Sequence, residues 1–314
     1  MSQLATRLAH QLASCPEERR WLIEGLWADQ AVGIVGGEPK CCKSFLALDI
    51  AVAVASGAPC LRRFQIRRRG PVLLFAAEDA LHIVRERLEG IAQAAGVSFE
   101  QLAIHVITAP TVRIDLEADR KHLRDTVDQI RPRLLVLDPF VRLHRVDENL
   151  ASEVAPLLAY LREIQRRYET AVLLVHHSRK GGHARAGQAL RGSSELHAWG
   201  DSNLYLRWQQ GDRLLLSIEH RAAAGSPTLP LELAVDGQAV ALTVIESTPP
   251  LEPCQPTPLD RVLEVLAEAH TSLSRRALRE ACRMRASTVG DTLAELLNSG
   301  RVIEDDQGYR LPTS

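Results

Sequence analysis

At 314 residues with a formal net charge of −1, the chain is long enough for one α/β domain and a smaller second one, and its charge balance demands neither nucleic acid nor a charged surface. Six cysteines without a C-x-x-C pair or a Cys/His ligand spacing argue against structural zinc and against a disulfide framework. No signal-peptide pattern opens the chain and no apolar run approaches the ~20 residues of a membrane span, so a cytoplasmic protein without membrane contact is expected.

Met1 to Asp29 reads as an amphipathic helix followed by a docking segment, WLIEGLWADQ, whose Trp21, Leu22, Leu26 and Trp27 pack beside the next strand. That strand, Ala31 to Val35, leads into a loop and then a helix whose apolar positions begin directly after Lys43-Ser44. From Gly37 the spacing fits the phosphate-binding loop G-x-x-x-x-G-K-[ST] except at its second glycine, where Cys42 stands. In such a loop the backbone N–H groups of Gly37, Glu38, Pro39, Lys40, Cys41, Cys42 and their neighbours, proline excepted, face a phosphate, together with the positive end of the helix. Lys43 reaches the β/γ oxygens, the Ser44 hydroxyl ligates Mg²⁺, and Phe45 follows. A glycine before the lysine avoids a Cβ that crowds the phosphate or the turn. The alternative is an ordinary buried strand–turn–helix, in which a lysine at a helix N-terminus is unfavourable without an anion. Cys41 and Cys42 also sit where thiol pKa values fall, so a redox-sensitive site is conceivable, two small loop residues being the plainer reading.

The basic stretch Arg62 to Arg69 reads as a solvated connection, or more weakly as a contact to DNA or another subunit. Val72 to Ala77 is a strand buried on both faces, ending in Glu78 and Asp79. Glu78 is the better candidate for polarising an attacking water, and Asp79 could cap the helix beginning at Ala80. After a third run, Leu102 to Thr108, and a helix over Leu116 to Ile130, four apolar residues deliver Asp138 in the form of a Walker B strand. A helix from Ala151 to Tyr168 precedes another buried strand ending in His176 and His177. These histidines either cover the sheet end or sense a γ-phosphate. The loop beyond, Ser178 to Ser194, carries Arg179, Lys180, Arg185 and Arg191 among glycines, a basic DNA-facing candidate.

From Asp201 the pattern becomes short alternating strands, read as an antiparallel extension of the sheet. Residues 247–258, with five prolines, form a linker that separates an ATPase-like domain (1–246) from a small domain (259–314). That small domain reads as helix, helix, helix and β-ribbon, a winged helix-turn-helix. Arg275, Arg276, Arg283 and Arg285 make duplex DNA one candidate partner. Glu304, Asp305 and Asp306 in the ribbon leave a protein partner equally open.

Taken in order, VGIVGGEPKCCKSFLAL, GPVLLFAAED with Arg87 after it, LLVLDPFVRLH with DEN at Asp147 to Asn149, LLVHHSRKGG and LRGSSEL resemble the RepA-like branch of the RecA/DnaB superfamily of P-loop ATPases. The stretches span about Trp21 to Pro227. The resemblance implies a RecA-like core of mainly parallel sheet, a hexamer with ATP and Mg²⁺ between subunits, and action on single-stranded DNA. It also implies Lys43 and Ser44 on phosphate and metal, Glu78 as base, Asp138 as the Walker B acid, His177 as sensor and Arg87 near the nucleotide. Asp201 stands where the plasmid helicases carry a subunit-bridging arginine. The trans arginine is therefore placed at Arg221, with Arg191 as runner-up. An ATP-gated DNA-binding adaptor or regulator without unwinding is the second functional reading.

Overall fold

The apolar runs form one central sheet, and alternate residues along them face opposite cores. In β6 (Leu134–Asp138), Leu134 and Val136 belong to one core and Leu135 and Leu137 to the other. A strand clothed on both faces has no position to spare for a polar residue, which is why these runs show no alternation. The computed structural model describes residues 6–11, 20–177, 194–209, 213–221, 227–237, 239–245, 258–269, 272–282, 284, 286–298, 301–305 and 307–311. Two compact units divide the chain, Met1–Glu246 and Ser247–Ser314.

In the first unit the chain runs β1 (Trp21–Ile23), β2 (Trp27–Ala28), β3 (Val32–Gly37), α1 (Lys43–Ser56), β4 (Val72–Ala76), α2 (Leu81–Ala94), β5 (Ile104–Val106), α3 (Glu117–Ile130) and β6. It continues through α4 (Ala151–Tyr168), β7 (Ala171–His177), α5 (Ser194–Trp199), β8 (Ser202–Trp208), β9 (Leu214–His220), β10 (Leu229–Asp236) and β11 (Ala239–Val244). Nine of the described strands form the central sheet, in the order β11-β10-β9-β8-β3-β7-β6-β4-β5. From β8 to β5 all neighbours are parallel, whereas β8 to β11 pair antiparallel. Helices α1 and α2 cover one face and α3, α4 and α5 the other. Helix α1 is buried almost throughout, and each of its enclosed Leu, Ile or Val side chains contributes about 1.5–3 kcal/mol.

The structure departs from the sequence reading in several details. The alternating pattern predicts that β8 opens the antiparallel extension, yet it lies parallel to β3 and the reversal comes at β9. The close approach behind this pairing depends on Gly33, where a Cβ would stand 1.7 Å from the Ser202 carbonyl oxygen and 2.9 Å from Trp27. The docking segment is a hairpin, β1 with β2, that buries Trp27 and whose Ala28 N–H donates to the Ser202 hydroxyl at 3.1 Å. Of the helix expected before it, only a 3₁₀ turn, Ala9–Gln11, is described, with residues 1–5 and 12–19 outside the described set. The basic stretch is not simply solvated, because Arg62 pairs with the buried Asp49 of α1, Arg67 with Glu24 and Arg68 with Asp29. Asp49 also accepts the Leu61 N–H at 2.8 Å, so the connection is pinned onto the core.

The second unit contains α6 (Pro258–Ala269), α7 (Arg275–Cys282), α8 (Ala286–Asn298) and the antiparallel ribbon β12 (Ile303–Asp305) with β13 (Gly308–Arg310). Val262, Leu266, Leu278, Val289, Leu293 and Leu296 close its own core. Among the described residues no helix is long and apolar enough to cross a membrane.

Candidate functional site

Strand β3 ends at Gly37, with φ +156°, where a Cβ would stand 2.3 Å from the Leu206 carbonyl oxygen and 2.6 Å from Cys41 Sγ. Only glycine lets the chain turn off the sheet there. The loop then passes through left-handed backbone at Lys40 (φ 67°) and again at Cys42 (φ 60°), the residue before α1. The missing second glycine is thus a conformational departure. Of the two reasons for a glycine, the turn and not side-chain bulk is the one the backbone displays, and left-handed backbone costs about 1–2 kcal/mol for a non-glycine residue.

The loop wraps the lysine. Lys43 is 5 % exposed, its Nζ donates to the Glu38 carbonyl at 2.6 Å and stands 3.8 Å from Cys41 Sγ, and burial lowers its pKa. Burial pushes the Cys41 thiol up to about 11 and raises that of Cys42 as well. Burial thus works against the thiolate that a redox-sensitive loop needs.

Three neighbouring strand ends supply the other groups, as expected beyond the carboxyl edge of a parallel sheet. Asp138 ends β6, accepts a hydrogen bond from the Ser44 hydroxyl, and is raised to about 6, first by burial and then by the nearby Asp79 and Glu78 carboxylates. Glu78 and Asp79 follow β4. Glu78 accepts from Arg142 Nε at 2.9 Å. Asp79 does not cap α2, whose first turn has no side-chain cap, and pairs instead with Arg87. The Arg87 guanidinium lies 5.2 Å from the centre of the Phe45 ring. His177 ends β7 directly opposite Gly37.

These side chains share one cleft of about 400 Å³, lined by Pro39, Lys40, Cys41, Cys42, Lys43, Ser44, Phe45, Glu78, Asp79, Arg87, Asp138 and His177 with two apolar residues. Gly37 and Glu38 do not line it and shape the loop from behind. The residues fit a nucleotide phosphate chain with a divalent cation. Lys43 and the α1 N-terminus offer positive charge, and the crowded carboxylates leave Asp138 in want of a cation. The Ser44 hydroxyl and the Asp138 carboxylate are the oxygens that would meet Mg²⁺, a cation bound through one or two protein oxygens plus phosphate.

In the first unit, Arg221 does not line the cleft. Arg221 follows β9, is about half exposed, donates to the Ala198 carbonyl and sits 3.4 Å from Asp201. Asp201 itself accepts from Val32 N–H at 3.3 Å and pairs with Arg162, so in this chain it is an internal anchor. In the second unit the Arg275 guanidinium lies against Gly290, and the exposed Arg276 pairs with Glu280 at 3.1 Å. Arg179, Lys180, Arg185, Arg191, Arg283 and Arg285 lie outside the described residues. Sequence spacing does not single out Arg142, because nothing in the run RLH shows that it reaches back 64 positions to Glu78.

Comparison with known proteins bears on the fold and the family. The structure of the RadB recombinase is similar with a TM-score of 0.52 at 17% identity, covering 69% of this chain and 92% of that one. A second solved structure, described as an ATPase domain, is similar with a TM-score of 0.53 at 13% identity, covering 68% of this chain and 86% of that one. At these identities the likeness shows the fold, a RecA-like core with a mostly parallel sheet. Residues 2–183 match the family described as AAA domain, more than half of the chain, and the chain therefore belongs to that family, with the core of a P-loop ATPase.

Proposed function

We propose that the protein is an ATP-driven motor, a RepA-like helicase or translocase that forms a homo-hexamer and acts on single-stranded DNA. The observation that carries the ATPase reading is the convergence of Lys43, Ser44, Glu78, Asp138 and His177, from four strand ends, on one cleft. Lys43 and the loop amides hold the phosphates. Ser44 and Asp138 hold Mg²⁺, which neutralises charge on the phosphate oxygens when bound. Glu78, once free of Arg142, accepts a proton from the attacking water, and His177 contacts the γ-phosphate. Arg87, fixed by Asp79 and Phe45 at the rim, borders the nucleotide. Arg221, half exposed and outside its own cleft, supplies the trans arginine of a neighbouring subunit.

The second unit is read as a winged helix-turn-helix that docks on duplex DNA or on a protein, with Arg276 outward. That unit also favours the second reading, an ATP-gated DNA-binding adaptor. ATP hydrolysis measured with and without single-stranded DNA, together with strand displacement, separates the two. Stimulation with displacement supports the motor; duplex binding without displacement supports the adaptor. Glu78→Gln is expected to bind ATP normally and lose hydrolysis by a factor of about 100 or more, on the order of a general base's contribution. Normal turnover in that variant would assign the base elsewhere.

A further inference from the structure

Behind the cleft lies a buried group of titratable side chains that the hydrolysis scheme does not use. His144 and His176 are 3 % and 2 % exposed, and between them stands Glu148, on the connection from β6 to α4. Its Oε1 lies 3.4 Å from His144 Nε2 and its Oε2 lies 3.5 Å from His176 Nε2. These are ion-pair contacts longer than good hydrogen bonds. No better partner among the described residues serves Glu148 Oε1, His144 Nε2 or His176 Nε2. Phe140 lies beside both imidazoles, its ring centre 4.5 Å from His144 and 6.1 Å from His176.

The partners of His176 dictate its protons. Its Nδ1 is 2.8 Å from the carbonyl oxygen of His177, which can only accept, so Nδ1 carries hydrogen. Its Nε2 faces a carboxylate. Although burial alone would raise Glu148, the two histidines outweigh it and hold the carboxyl at about 2, so it is ionised and also only accepts. The carboxylate stands between the two Nε2 atoms and holds both rings by these contacts. The charged and titratable groups around the three are Arg113, which donates to the His144 carbonyl at 2.8 Å, with Asp138 at the head of the same connection and His177 beyond His176.

We propose that Glu148 is a positioning residue for the ATP cleft: its carboxylate clamps His144 and His176, and through the His176 Nδ1–H bond it fixes the main chain at His177. The clamp ties the connection that follows Asp138 to the end of β7, so the metal-side acid and the phosphate-side histidine keep one spacing. This proposal rests on the reading of His177 as the γ-phosphate contact.

The test has two arms on the full chain. Nitrogen NMR of the wild-type imidazoles near neutral pH is expected to show hydrogen on His176 Nδ1, bonded to the His177 carbonyl, and a bare Nδ1 overturns the clamp. This arm needs no variant and holds even if Glu148→Gln fails to fold. In kinetics, Glu148→Gln is expected to lower kcat on the order of 10–100-fold with KM for ATP unchanged, because the Lys43 loop is untouched. Glu148→Asp recovers part of the loss. Adding Glu148→Gln to His177→Ala is expected to cause no further loss, since both act through one group. Losses that multiply overturn the proposal. Full turnover in His177→Ala alone would instead fail the reading of His177, leaving the NMR arm to decide whether the clamp exists.

Discussion

Cys42 holds backbone that glycine adopts freely, and the two effects of its replacement oppose one another. Relief of a left-handed residue is worth about 1–2 kcal/mol, while the added freedom of glycine in the unfolded chain returns about 0.5–1 kcal/mol. Cys42→Gly is therefore expected to stabilise the chain by about 0.5–1 kcal/mol, read as a higher urea midpoint at unchanged slope. Asp138 gives a second residue-scale test with a definite sign. Its pKa in the folded chain, about 6, is above that of an unfolded aspartate, so its protonated form is favoured by folding and its contribution is lost as pH rises from about 4 through 6. Asp138→Asn is expected to stabilise the nucleotide-free chain at a pH of about 8 by on the order of 2 kcal/mol while removing Mg²⁺-dependent hydrolysis. In the parent chain, Mg²⁺ affinity measured by titration is expected to fall about tenfold per pH unit below about 6, since proton and metal compete for the same oxygen.

Among the elements, β8 decides the most. It receives β3 in parallel on one edge and turns the sheet antiparallel through β9 on the other. Its approach to β3 leaves no room for a methyl group at Gly33. Gly33→Ala is expected to destabilise the first unit by about 3 kcal/mol, the upper range for overpacking, with the KM for ATP of the surviving folded protein unchanged because the cleft lies at the other end of β3. Thermal unfolding alongside ATPase kinetics checks both parts. The strand ends beyond it carry the chemistry: Gly37 is level with His177 and Ala76 with Asp138, the first pair two residues further along the strands.

At the scale of the whole molecule the question is whether the cleft completes itself. Lys43, Glu78 and Asp138 meet within one chain, whereas Arg221 does not line that cleft. A trans arginine contributes on the order of 10³–10⁵ in rate where such residues act. Arg221→Ala is expected to bind ATP and assemble but hydrolyse far more slowly, and mixing it with Lys43→Ala chains is expected to restore part of the activity through interfaces where both residues are intact. No recovery in proven mixed assemblies would remove Arg221 from that role. The sequence by itself determined the phosphate loop, the buried strands and the acids that end them, because local spacing and unbroken apolar runs are properties of contiguous residues. It could not determine that β8 lies parallel to β3, that Trp21 to Ala28 is a hairpin, that Asp79 turns to Arg87 instead of capping a helix, or that Arg142 meets Glu78 and Glu148 meets His176. Each of those is a choice between partners far apart in the chain, and only the packing of the sheet and its helices, which fixes distance and burial, selects among them.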